Sequence, residues 1–295
     1  MRCKTCKEKA EIYLASHNTA LCRRDFINYF ERRVKRSIEQ WRMFTSRDKV
    51  LVAVSGGKDS LGLLHLLKKL DYRVTGYHIH LGIDGYSDRS LEKVQVFAGA
   101  RSIPIIVEDV RVQWGKGIGA AAKEVGRPPC SLCGMVKRYL MNSAAKEFDV
   151  IVTGHNLGDE AATLLGNVLR WEVGYLSRQS PVLEQKDGLQ KRVKPLGFVT
   201  ERESAAYTFM EGIDFVMEEC PLATGATSLF YKDILTRIEE SMPGTMPRFL
   251  KGFLKFQRKY LREEQKKDLK PCVRCGYVTT AEVCNFCRVE EKLRR

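Results

Sequence analysis

The sequence predicts an α/β fold, a doubly wound parallel sheet with a small zinc module at each terminus. Three observations carry this. Residues 49–70, KVLVAVSGGKDSLGLLHLLKKL, pass from a buried strand (Val50 to Val54) through a glycine loop into a helix with apolar Leu61, Leu63, Leu64, Leu66, Leu67 and Leu70. Strand-like and helix-like segments then alternate as far as residue 170, the pattern of parallel βα units. The ten cysteines of the 295-residue chain gather at both ends and once in the middle.

Composition narrows the function. No apolar run reaches the roughly 18 residues of a membrane span. The opening MRCKTCKEKAEIYLASHNTALC lacks the apolar core of a signal peptide. A cytoplasmic protein is expected, in which cysteines serve as metal ligands or reactive thiols rather than disulfides. Lys and Arg number 50 against 36 Asp and Glu, a net +14, which points to a polyanionic partner such as nucleic acid.

The elements follow in order. Residues 1–28 hold Cys3, Cys6 and Cys22 as C-x2-C-x15-C. The fourth ligand of a zinc there is either Asp25, at the spacing of a second knuckle, or His17 inside the loop. Residues 29–48 belong to a basic amphipathic linker helix, with Phe26, Tyr29, Phe30, Val34, Ile38 and Trp41 on one face. The loop after the first core strand has adjacent glycines, and Asp59 separates Lys58 from Ser60, so it is not a Walker A loop. Its amides at a helix N-terminus still suit a pyrophosphate, and the acidic neighbour suggests magnesium.

Strands are expected at 73–83, 103–110 and 149–156, and helices at 88–102, 130–148 and 157–170. The loops at 55–60, 78–82 and 154–159 should then converge at the carboxyl ends of the strands, where such sheets bind nucleotides. His65 fits a helix edge, His78 and His80 fit packing positions, and His155 fits a local loop contact. Asp159 stands at a helix start, where a carboxylate is also an ordinary capping residue.

The middle cysteines pose a separate problem. PPCSLCG (128–134) supplies Cys130 and Cys133, and only the distant Cys220 in EECPLA remains to join them. Three thiolates with no fourth protein ligand suit a 4Fe–4S cluster with one exposed iron. They also suit zinc with an open position, or a redox CxxC with Cys220 to spare. Lys137 and Arg138, further along that helix, could meet phosphate. In 231–270 a basic helical region places Phe249, Phe253, Phe256 and Tyr260 among lysines and arginines, either as a core stripe or as RNA contacts. In 271–295, Cys272, Cys275, Cys284 and Cys287 form C-x2-C-x8-C-x2-C, a closed four-thiolate zinc ribbon.

SGGKDS resembles the PP-loop of the ATP pyrophosphatases. Together with PPCSLCG, GHNLGDEA, GATSLFYK and CGYVTTAEVCNFC, the chain resembles, over essentially its whole length, the TtcA/TtuA family of PP-loop tRNA thiolases, above all the branch that makes 2-thiouridine. The resemblance implies a catalytic domain at 49–230. It implies ATP bound by Ala53, Val54, Ser55, Gly56, Gly57, Lys58, Asp59, Ser60, Ile79, Lys137, Gly154 and Asp159, with Lys58, Asp59 and Asp159 catalytic. It implies a 4Fe–4S cluster on Cys130, Cys133 and Cys220, two zinc ions and magnesium. The partners implied are tRNA and a sulfur donor, either a thiocarboxylated ubiquitin-like protein or sulfide, with a homodimer allowed. The implied target is the T-loop uridine, giving 5-methyl-2-thiouridine; wobble-uridine 2-thiolation and a non-tRNA ATP pyrophosphatase are the alternatives. Asp25 departs from the histidine common at that position in this branch.

Overall fold

In the computed structural model, which describes residues 1–223, 225–261 and 269–294, the chain opens with a hairpin of β1 (Ile12–Leu14) and β2 (Thr19–Leu21), then helix α1 (Arg23–Gln40). Phe26, Phe30, Val34 and Ile38 recur at helical spacing and are buried. Arg32, Lys35 and Arg36 are exposed on the outer side. Phe30 stacks on Tyr207 with ring centroids 4.3 Å apart. The helix expected as a linker thus begins at Arg23 and packs into the main core.

The core then runs β3 (Lys49–Ala53), α2 (Lys58–Lys69), β4 (Arg73–His80), α3 (Tyr86–Gly99) and β5 (Ile105–Asp109). Next come α4 (Val110–Trp114), α5 (Ile118–Val125), α6 (Pro129–Ala144), β6 (Val150–Val152) and α7 (Leu157–Leu169). After these follow α8 (Val173–Leu176), β7 (Val182–Leu183), β8 (Arg192–Val193), α9 (Glu201–Met210), α10 (Thr227–Ser241) and α11 (Thr245–Tyr260). The C-terminal module holds β9 (Lys270–Pro271), β10 (Val278–Thr279) and α12 (Asn285–Leu293). Every strand and helix expected between 49 and 170 is present, with boundaries shifted by a few residues; α3 and α6 begin slightly earlier than expected and the other ends are mostly trimmed.

The main sheet has the order β5-β4-β3-β6-β8-β7. All its neighbours are parallel except β7, which runs antiparallel to β8. The chain steps outward from β3 to β4 to β5, then crosses back to the other side of β3 as β6. That reversal opens a crevice at the carboxyl ends of β3 and β6.

Side chains of β3 alternate between the two faces, as a strand buried on both sides requires. Val50, Val52 and Val54 join a core with α1, α2, α3 and α9. Leu51 and Ile151 join the opposite core with α5, α6 and the C-terminal module. Each terminal module roots in one face: Cys3 and Cys22 in the first core, Cys272, Cys284 and Phe286 in the second. Phe286 stacks on Tyr139 of α6 at 3.8 Å, so the C-terminal module braces the helix that begins with the middle CxxC. A third cluster joins α7, α8, α10 and α11. Among the described residues, no helix is long and apolar enough to cross a membrane.

In α11, Leu250 and Leu254 are buried, and Phe249 and Phe253 pack against the third cluster. Phe256 and Tyr260 are 49% and 60% exposed. The aromatic series therefore divides between core and surface. Residues 262–268, with Arg262, Lys266 and Lys267 of its basic run, lie outside the described residues.

Candidate active site and metal centres

The glycine loop leaves β3 and enters α2 with Gly57 at the N-cap, where no side chain caps the helix. The first-turn N–H groups are thereby left for an anion. Gly56 has φ +83°, and a Cβ there would come within 2.9 Å of the Ser90 carbonyl oxygen, so the loop requires glycine. Ser60 closes the loop from within: its hydroxyl accepts from the Ser55 N–H at 3.1 Å and donates to the Gly57 carbonyl at 3.0 Å. Across the crevice, a Cβ on Gly154 would sit 3.1 Å from the Ser60 nitrogen, so the turn after β6 lies directly against this loop.

Asp59 and Asp159 face the crevice from opposite sides. Asp59 Oδ2 accepts from Lys58 Nζ at 3.0 Å and from Asn156 Nδ2 at 3.3 Å. Its Oδ1 is buried with no hydrogen-bond partner. A hard oxygen left in that state beside a phosphate loop suits a divalent cation. Asp159 closes a capping box with Asn156: its Oδ2 accepts from the Asn156 N–H at 3.0 Å, while its own N–H donates to Asn156 Oδ1 at 3.2 Å. Its Oδ1 accepts from Lys232 Nζ at 2.8 Å. The capping role weighed from the sequence is thus present, and the residue still reaches the site.

Two participants were not singled out as site residues: Glu201 lies in no motif, and Lys232 is the last residue of GATSLFYK. Glu201, the first residue of α9, binds Lys58 through Oε1 and Lys232 through Oε2, each at 2.7 Å. Burial opposes its ionisation, but Lys232 and Lys58 hold its carboxyl below the ordinary range. Lys232 opposes its own burial penalty through Asp159 and Glu201, and its pKa is raised. A chain of charge results, Asp59–Lys58–Glu201–Lys232–Asp159. The Thr200–Glu203 capping box that starts α9 was readable as T-x-x-E, but nothing in it singles out Glu201.

The histidines do structural work. His78 Nδ1 donates to the Val54 carbonyl at 2.8 Å, and burial lowers its pKa. His155 bonds the Thr153 hydroxyl at 2.8 Å and is likewise kept neutral by burial. His80 meets Asp88 at 3.0 Å, and His65 meets Glu211 at 3.0 Å.

Cys130 lies in the first turn of α6 and Cys133 at the start of the second, behind Pro128 at the N-cap and Pro129 in the first turn. A helix N-terminus favours thiolates. Cys220 lies in the turn before α10, and Cys130 Sγ lies 3.5 Å from the carbonyl of Leu222 in that turn. Burial pushes the Cys133 thiol up, against the pull of Lys137, with Cys220 and Cys130 close enough to add to the rise. Ala53, Ile79, Tyr86, Cys133 and Cys220 all pack, half-buried, against the second core. Two predicted nucleotide residues, Ala53 and Ile79, thus pack against the same core as Cys133 and Cys220, whereas the three sulfurs of the triad do not gather as closely as those of the terminal quartets.

The terminal quartets are tighter. The ligand atoms of Cys3, Cys6, Cys22 and Asp25, and those of Cys272, Cys275, Cys284 and Cys287, each lie within 4.8 Å of one another. Cys6 and Cys22 sulfurs are 3.5 Å apart, and Cys275 and Cys284 sulfurs 3.6 Å apart. Zn–S bonds of about 2.3 Å in a tetrahedron set sulfurs at roughly this separation. At the N-terminus, Asp25 Oδ2 lies 3.1 Å from Cys3 Sγ and 3.4 Å from Cys22 Sγ. His17 instead bonds Ser16, outside the quartet. At the C-terminus burial would raise Cys272, but N–H donors of Cys284, Arg274 and Cys275 draw it down to about 6. Both donor sets fit zinc.

A closed quartet has no vacancy for chemistry, so its loss should act through folding. Cys272→Ser or Cys284→Ser is expected to loosen the Phe286–Tyr139 contact and lower the melting temperature. A zinc-free variant that melts at the wild-type temperature would contradict that structural role.

A groove of about 540 Å³, bordered by Lys49, Lys68, Arg73 and Phe148, lies at the amino ends of the strands, opposite the converging loops. Ligands of open α/β sheets bind at the carboxyl ends, so this groove is not the active site.

The profile of the PP-loop domain family matches residues 28–220, and that of the N-terminal LIM domain of 2-thiouridine synthetase TtuA matches residues 2–27. A protein of Thermus thermophilus named tRNA-5-methyluridine(54) 2-sulfurtransferase is 47% identical, covering 100% of this chain and 92% of its own. A protein of the same name from Pyrococcus horikoshii is 42% identical over 98% and 93%. Among solved structures, the U34-tRNA thiolase NcsA of Methanococcus maripaludis, with its [4Fe-4S] cluster, superposes with a TM-score of 0.84 at 22% identity, covering 99% of this chain and 96% of its own. That likeness is one of fold.

Proposed function

Since the chain belongs to the PP-loop family that contains the tRNA-5-methyluridine(54) 2-sulfurtransferases, we propose that it is a cytoplasmic ATP-dependent tRNA thiolase that replaces the C2 oxygen of the T-loop 5-methyluridine with sulfur. The observation that carries this reading is a phosphate loop with an orphaned carboxylate oxygen, whose neighbours Ala53 and Ile79 pack against the same core as Cys133 and Cys220.

ATP lies with its phosphates on the α2 amides and Lys58, and its adenine against the backbone of Ile79. The target base leaves the RNA stack to reach the site. Its C2 oxygen attacks the α-phosphorus, the bond to the bridging oxygen breaks, and pyrophosphate departs with that electron pair. Asp159 takes the proton lost from the ring nitrogen. The adenylate makes C2 electrophilic, and AMP leaves as sulfur adds. Magnesium on Asp59 would neutralise charge building on the phosphates. A 4Fe–4S cluster on Cys130, Cys133 and Cys220 would supply, through its one iron without a protein ligand, a seat for the incoming sulfur. The donor is a thiocarboxylated ubiquitin-like protein or sulfide. The basic outer faces of α1 and α11 contact the tRNA backbone.

Mass spectrometry of tRNA nucleosides from a deletion strain tests the target. Loss of 5-methyl-2-thiouridine is expected. Loss of wobble 2-thiouridine alone would overturn the T-loop assignment.

A further inference from the structure

Glu201 bridges two lysines that enter the crevice from different elements. Lys58 comes from the first turn of α2, whose free N–H groups face the same space, and Lys232 comes from α10. Each lysine meets one oxygen of the Glu201 carboxylate at 2.7 Å. Two ammonium groups separated by one bidentate anion beside uncapped helix amides present the donor set of a phosphate site. We propose that Lys232 and Lys58 form a two-cation clamp for the pyrophosphate end of ATP, and that Glu201 occupies this clamp until the nucleotide arrives. The inference rests on the thiolase reading and assigns Lys232 and Glu201 roles within it.

Exposure explains which group yields. The Lys58 and Lys232 side chains are 23% and 20% exposed, whereas Glu201 is 44% exposed on the first turn of its helix. The lysines cannot turn to bulk water without leaving the crevice, and partly buried cations need a counter-anion in every state. Glu201 can swing outward into solvent and give its place to phosphate oxygens. The line of three carboxylates and two ammoniums carries a net negative charge, so an incoming polyanion enters only as Glu201 withdraws. When the α-phosphorus bond breaks, the electron pair leaving with pyrophosphate then meets both lysines.

The fold also holds a slot for the second lysine. Helix α10 crosses the start of α7, where a Cβ on Gly158 would lie 3.1 Å from Lys232 Cε. The missing side chain lets the lysine stem pass, and its Nζ reaches Asp159 Oδ1 at 2.8 Å. Lys232 therefore connects the group that receives pyrophosphate with the group that receives the ring proton.

Titration calorimetry with inorganic pyrophosphate on the full chain tests the clamp. Lys232→Met should weaken pyrophosphate binding about tenfold to a hundredfold, the range for a lost charged hydrogen bond. Lys232→Arg keeps the charge and should stay within a few-fold of the wild type. Glu201→Gln removes the resident anion and should tighten binding several-fold. Unchanged pyrophosphate affinity in Lys232→Met, with only turnover reduced, would mean that Lys232 merely positions Asp159, and would overturn the clamp while leaving the thiolase reading intact. The clamp is equally overturned if Lys232→Arg loses as much affinity as Lys232→Met, or if Glu201→Gln binds no tighter. Wild-type protein that binds neither ATP nor pyrophosphate would sink both the clamp and the thiolase reading.

Discussion

Asp59→Ala is expected to abolish AMP and pyrophosphate formation, with a loss of about a thousandfold or more in tRNA thiolation, while the protein stays folded. The size follows from what the residue does at once. Its buried, unpartnered Oδ1 is the oxygen offered to a divalent cation, and its Oδ2 receives Lys58 and Asn156. Removing one preorganised group that stabilises developing charge costs roughly 10²–10³-fold in other enzymes, and Asp59 combines a cation ligand with the positioning of a lysine. Asp59→Asn separates the two. The amide keeps the shape and one acceptor but lacks the charge, so it should retain the fold and lose the magnesium dependence of ATP binding. Asp59→Ala with unchanged thiolation would refute the reading of SGGKDS as the adenylating loop.

The sequence made the core of this site legible because its signals are local. A strand, two glycines and a leucine-periodic helix are contiguous from Lys49 to Lys69, and their order alone places an anion site at Gly57. The C-terminal quartet is as direct, since its four cysteines lie within sixteen residues of one another. Asp25 was legible only as one of two options. The choice depends on how α1 starts immediately after Cys22, which turns Asp25 inward and leaves His17 on the hairpin. Glu201 was not legible, and Lys232 was legible only as the last residue of GATSLFYK, with no role attached. They stand far from the loop in sequence and meet it only because α9 packs on α2 and α10 crosses α7. No periodicity distinguishes either one from the surface charges beside it. The short helices α4 and α5 were also missed, because VRVQW and IGAAAKEV are each too brief to establish a period; α4 ends at Gly115, and α5 lies between Gly117 and Gly126.

Cys130→Ser, Cys133→Ser and Cys220→Ser should each lose iron and thiolation together, and all three should keep ATP affinity within a few-fold of the wild type. Three ligands leave no redundancy, so one serine is enough to empty the site. ATP binding survives because the phosphate loop hangs from β3 and α2, while the triad hangs from α6 and the turn before α10. Ala53 and Ile79 pack against the same core as Cys133 and Cys220, but the amides that would hold the phosphates belong to α2 and not to α6. Protein purified without oxygen should therefore be brown, with about four irons and four sulfides in the wild type and near none in the variants. The terminal zincs should stay at full occupancy, because each quartet is rooted in a different part of the core. A three-thiolate site differs from the terminal quartets, which are completed by Asp25 or by a fourth cysteine, in having a position that no protein ligand fills. Added sulfide should for that reason perturb the visible spectrum of the reconstituted wild type and support turnover without a protein donor. Zinc at the triad in colourless, fully active anaerobic protein would overturn the cluster assignment and, with it, the route proposed for sulfur.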